Sequence, residues 1–79
     1  MDNDKILAKL QEIYRDVLDN EDIVLTTATT ANDIEEWDSL ANVQLVVEIE
    51  GEFGIRFTSA EIPSWKNVGD MIACIQGKL

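Results

Sequence analysis

The chain has no histidine. That absence removes Ser-His-Asp and Cys-His nucleophile pairs and every His-ligated metal site. The single cysteine, Cys74, can form neither an internal disulfide nor a cysteine zinc cluster. Basic residues are scarce: 6 Lys and Arg stand against 16 Asp and Glu, for a formal charge of -10. Such a chain lacks the basic patch that nucleic acid requires, and anionic membranes repel it for the same reason. No apolar run is long enough to span a bilayer. Asp2 and Asp4 stand where a secretory signal would be basic. Strand-period segments, repeats and low-complexity tracts are missing as well. Together these absences predict a cytoplasmic, all-α protein whose partners are proteins with basic surfaces.

What is present fits one small domain, residues 1–79. A core this thin leaves little room for a deep active site, so a surface site or an attached group is the easier way to carry chemistry. The acids are unevenly placed: no Lys or Arg falls between Arg15 and Arg56.

Ile6, Leu7, Leu10, Ile13, Tyr14, Val17 and Leu18 recur at helical spacing, with Asn3 or Asp4 available as the cap. Residues 19–37 have no sustained period, and the turn-like acids and four threonines there predict a long loop, pinned by Ile23, Val24, Leu25 and Ile34. Its acids lack the Gly and the terminal Glu spacing of an EF-hand. A second helix is predicted from Ser39, capped by Asp38, to Phe53, where Gly54 provides a left-handed stop and Ile55 packs back. Thr58 and Glu61 match a capping box, but Pro63 limits the helix they would start to about one turn. Asn67 caps a last helix with Val68, Met71, Ile72, Ile75 and Leu79 as its apolar stripe. The expected fold is a small four-helix bundle, with three main helices, one short one and a long first loop.

The second helix carries two apolar stripes. Leu45, Val46, Ile49 and Phe53 suit a core face, whereas Leu40, Val43 and Val47 form a rotated stripe flanked by Gln44 and Glu48. A wide core face would explain both; an exposed strip rimmed by acids would instead serve a partner. Ser39 begins the same helix. Serine is common there as a cap, yet the first turn also suits an attached phosphate, near free N–H groups and the positive dipole end. With no base to activate Ser39, a small hydrolase is disfavoured.

The run Trp37-Asp38-Ser39-Leu40, followed by Val43, Leu45-Val46-Val47, Ile49 and Phe53-Gly54-Ile55, resembles the acyl carrier protein family. The likeness covers essentially the whole chain. It implies a non-enzymatic monomeric carrier with 4'-phosphopantetheine attached at Ser39 by a phosphopantetheinyl transferase, Asp38 and Leu40 completing the signature. The arm's thiol would hold acyl intermediates as thioesters for loading and processing enzymes with basic docking patches. Val43, Gln44, Val47 and Glu48 match the family's recognition helix, and Glu61 would add a contact. Trp37, Ala41 and Gln44 depart from the housekeeping fatty-acid pattern, and the paired glycines of peptidyl carriers are missing. These departures point to a stand-alone carrier in a specialised pathway, with D-alanyl or aminoacyl cargo, or an unmodified acidic interaction domain, as alternatives.

Overall fold

The computed structural model describes residues 2–79. Three α-helices, α1 (Asn3–Val17), α2 (Ser39–Phe53) and α3 (Val68–Lys78), are joined by two 3-10 turns, Ala31–Asp33 and Ile62–Ser64. No strand occurs among the described residues. The expected fourth helix is thus a single 3-10 turn: Pro63, which cannot donate, sits within it. The Thr58–Glu61 box forms as anticipated, with Thr58 N–H donating to Glu61 Oε1 at 2.7 Å and Glu61 N–H to Thr58 Oγ1 at 3.2 Å.

Caps set the helix limits. Asp2, rather than Asn3 or Asp4, caps α1, its Oδ1 accepting from Asp4 N–H at 2.8 Å. Asp38 caps α2 by accepting from Ala41 N–H at 2.8 Å. Gly54 ends α2 at φ +65°, and Ile55 N–H donates to Glu50 O at 3.2 Å while its side chain turns into the core. The left-handed conformation is the one glycine reaches without steric cost.

Helix α1 packs against both α2 and α3. Ile6, Leu10 and Tyr14 of α1, Leu45 and Ile49 of α2, and Val68, Met71, Ile72 and Ile75 of α3 form the buried centre. Burying each of the larger side chains contributes roughly 1.5–3 kcal/mol. Two expected core residues face outward: Val24 and Leu79 are 68% and 52% exposed. Val24 lies between buried Ile23 and Leu25, where an extended chain turns alternate side chains away from the core. Leu79 lies one residue beyond α3, past the last turn that packs. Phe53 is only half-buried.

The long loop is tied down by polar contacts from the helices. Gln11 Oε1 accepts from Leu25 N–H at 3.1 Å, and Arg15 Nε donates to Ile23 O at 2.7 Å. The threonines organise the loop locally: buried Thr29 accepts from Thr26 N–H through Oγ1 at 2.9 Å. The loop then meets the start of α3, where Val68 and Gly69 N–H donate to Thr29 O and Thr27 O at 2.9 and 2.8 Å. These loop carbonyls satisfy two donors that have no partner within the helix.

Candidate functional site: the exposed start of α2

Ser39 is the first residue of α2 and is exposed. Asp38 takes the Ala41 N–H, and Asn42 N–H begins the helical ladder by donating to Asp38 O at 2.9 Å. The N–H groups of Ser39 and Leu40 are first-turn donors without a helical acceptor. A phosphate ester on a first-turn hydroxyl in this position would meet positive potential from the helix end. The other serines are placed differently. Ser59 lies in the turn before Ile62–Ser64, and the Ser64 hydroxyl donates to the Glu61 carbonyl.

Trp37 fixes the approach to this site. Its indole N–H donates to Asn42 Oδ1 at 2.9 Å, and its ring stands edge-on to Tyr14 at 4.9 Å between centroids. Trp37 and Asn42 are the residues before the cap and at the fourth helical position, so they close over the first turn as a hydrophobic staple does. The sequence showed Trp37 as part of the run that carries the family resemblance and as a departure from the housekeeping pattern, but not this structural role. Its spacing to Asn42 was the available signal. Tyr14 is buried, and desolvation pushes its phenol well above the usual range, so it remains neutral and acts as packing.

Beyond Ser39, Leu40, Val43 and Val47 are 72%, 61% and 60% exposed, while Leu45, Val46 and Ile49 are buried. The two stripes are therefore separate faces, not one wide core face. Val43, Gln44, Val47 and Glu48 line a shallow depression of about 310 Å³ with Val17 of α1. Val47 lies eight residues, about 12 Å of helix rise, beyond Ser39. The structure thus brings Ser39, Leu40 and four of the recognition candidates onto one helix.

Glu61 stands apart from that depression. Its carboxylate accepts from Thr58 N–H, pairs with Lys78 Nζ at 2.9 Å and lies 3.4 Å from Cys74 Sγ. The Thr58 hydrogen bond and then the Lys78 ammonium push its pKa down to about 2. Burial, followed by the Glu61 carboxylate, pushes the Cys74 thiol up, so Cys74 is a poor nucleophile.

Comparison with known proteins identifies a family that matches most of the chain. The family model for the phosphopantetheine attachment site matches residues 8–75. The solution NMR structure of a holo acyl carrier protein from Geobacter metallireducens superposes with a TM-score of 0.85 at 43% identity, over 91% of this chain and 83% of that one. The acyl carrier protein of Thermosynechococcus vestitus is 32% identical over 100% of this chain and 98% of its own length. The meromycolate extension acyl carrier protein of Mycolicibacterium smegmatis is 30% identical over 92% of this chain and 74% of its own.

Proposed function

Given that the chain belongs to the acyl carrier family, whose members hold a covalent phosphopantetheine, we propose that Ser39 is the attachment residue and Asp38 and Leu40 its signature neighbours. The observation that carries this reading is the pairing of an exposed serine hydroxyl with the capped first turn of a 15-residue helix. When bound, the group supplies a terminal thiol that holds an acyl chain as a thioester. The chain's own residues do the rest. Asp38 sets the first turn, Trp37 holds the entry to it, and the Leu40, Val43 and Val47 strip presents the serine's surroundings to a partner.

The protein is a carrier and not a catalyst: with no histidine and a deactivated thiol, its side chains are suited to being read by enzymes. The phosphopantetheinyl transferase and the acyl-loading and acyl-processing enzymes approach through basic patches, drawn by the formal charge of -10. Gln44 and Glu48 rim the apolar strip, and Glu61 offers a further contact only in competition with Lys78. Docking of this kind is fast, weak and salt-sensitive, as suits a carrier that visits several enzymes. Like charge keeps the carrier monomeric, and a cytoplasmic location fits a chain in which no helix among the described residues is long and apolar enough to cross a membrane.

Residues 1–79 act as one carrier unit, with the Ile62–Ser64 turn in the place of the short fourth helix. Trp37, Ala41 and Gln44 favour a specialised pathway over the housekeeping one, with fatty or polyketide intermediates as cargo and D-alanyl or aminoacyl groups as the second choice. The attachment reading is tested by incubating the wild type, Ser39→Ala, Ser59→Ala and Ser64→Ala with coenzyme A and a promiscuous transferase. Only Ser39→Ala is expected to fail to load while remaining folded. Loading of Ser39→Ala at the wild-type rate would overturn it.

A further inference from the structure

Gly51 sits inside α2, two residues before its last residue Phe53, and is exposed. Glycine there costs roughly 1 kcal/mol relative to alanine. A Cβ at Gly51 would meet nothing within 4 Å. No contact inside the chain requires glycine, in contrast to Gly69, where the loop carbonyl leaves no room. A missing side chain on an exposed helix face lets another backbone come close.

Gly51 also lines an open groove of about 610 Å³ between α1 and α2. Val17 on one side and Val47 on the other give the groove apolar walls. Glu12, Asp16 and Glu48 stand along its rim, and none of them is in an ion pair among the described residues. The one cation lining the groove among the described residues, Lys9, is already engaged with Glu52 at 3.1 Å. The result is an apolar trough with uncompensated negative edges.

We propose that this α1–α2 groove seats a cationic amphipathic helix of a partner protein, which crosses α2 directly over Gly51. Small apolar side chains of that helix fill the trough, and its Lys or Arg residues meet Glu12, Asp16 and Glu48. Packing of a helix into a groove between helices brings axes to about 8–10 Å, and glycine at the crossing permits the short end of that range. Charge selects the occupant: a second copy of this chain carries the same formal charge of -10 and is repelled, as is an anionic bilayer. This seat shares Val17, Val47 and Glu48 with the depression described above and continues it along α1 and α2 to Gly51, and it does not depend on modification of Ser39.

The test uses the unmodified full chain and two synthetic helical peptides, one amphipathic with Lys and Leu, the other with Glu in place of Lys. Amide shifts are followed by NMR for the wild type, Gly51→Leu and Gly77→Leu. Gly77 is the matched control, since its Cβ also meets nothing within 4 Å and it lies in α3. The Lys peptide is expected to shift Ile13, Val17, Val47 and Gly51, and Gly51→Leu to weaken it by about tenfold or more, a change of about 1.4 kcal/mol. Gly77→Leu is expected to bind as the wild type does. Equal binding by Gly51→Leu, shifts centred on α3, or no binding of the Lys peptide would overturn the proposal. Should Gly51→Leu fail to fold, the double variant Glu12→Gln/Asp16→Asn carries the same expectation. Failure here leaves loading at Ser39 untouched, and failure of loading leaves this titration untouched, so the two readings fall separately.

Discussion

Replacing Gly69 by alanine places a Cβ 2.9 Å from the Thr27 carbonyl oxygen, 3.2 Å from Asn67 Oδ1 and 3.3 Å from Thr27 Cβ. The nearest atom is backbone, so the change cannot be absorbed by a side-chain rotation. The loop must retreat from the start of α3, and it takes with it the acceptors of the Gly69 and Val68 N–H groups. Two weakened hydrogen bonds cost about 0.5–1.5 kcal/mol each, and overpacking costs about 1–3 kcal/mol. The better helix propensity of alanine returns roughly 1 kcal/mol. Taken together, Gly69→Ala is expected to destabilise by about 1–5 kcal/mol, and each kcal/mol lowers the melting temperature of a domain this size by about 4–8 °C. Thermal and urea unfolding by circular dichroism provide the assay, and faster amide exchange at Val68 and Gly69 would locate the damage. Gly77→Ala, with open space around it, is the control and should be neutral or stabilising. A Gly69→Ala protein as stable as the wild type would refute the claim that the loop is anchored by close backbone contact at α3.

Val43 is 61% exposed, so Val43→Glu should weaken docking of a processing enzyme by about tenfold while unfolding within roughly 0.5 kcal/mol of the wild type; marked loss of stability would return Val43 to the core. Raising salt from about 0.01 M to about 0.5 M screens the repulsion among the acids and should raise the melting temperature, whereas no rise would mean that the repulsion is already relieved. Glu61 has a folded pKa of about 2 against an ordinary value of 4.5. The stability it contributes is therefore present above about pH 4.5 and lost as pH falls towards 2. In urea titrations the deficit of Glu61→Gln should be full at neutral pH and shrink through that window; a deficit constant with pH would contradict the assignment.

Features governed by neighbouring residues were readable from the sequence. Asp38 and Asn67 as caps, Gly54 as the left-handed stop, and the Thr58–Glu61 box all depend on contacts within a few positions. The second stripe of α2 was legible because periodicity separates Val43 and Val47 from Leu45 and Ile49, and the stripe assigned to the core is the one that is buried. The loop was legible only as a loop. Its form depends on contacts distant in sequence, from Gln11, Arg15, Val68 and Gly69, and these leave no local pattern. Val24 and Leu79 were misplaced for a related reason: apolar character was visible, but not the direction of an aperiodic chain or the end of α3. Trp37 was legible as an oddity and became a staple only once Asn42 and Tyr14 were seen beside it.

The central claim is that Ser39 carries the phosphopantetheine arm. Intact-mass analysis before and after treatment with coenzyme A and transferase, followed by peptide mapping, tests it most directly. A gain of one phosphopantetheine confined to the Ser39 peptide is the expected result. A gain mapped to the Ser59 or Ser64 peptide, or no gain by a folded, initially unmodified protein, would contradict it.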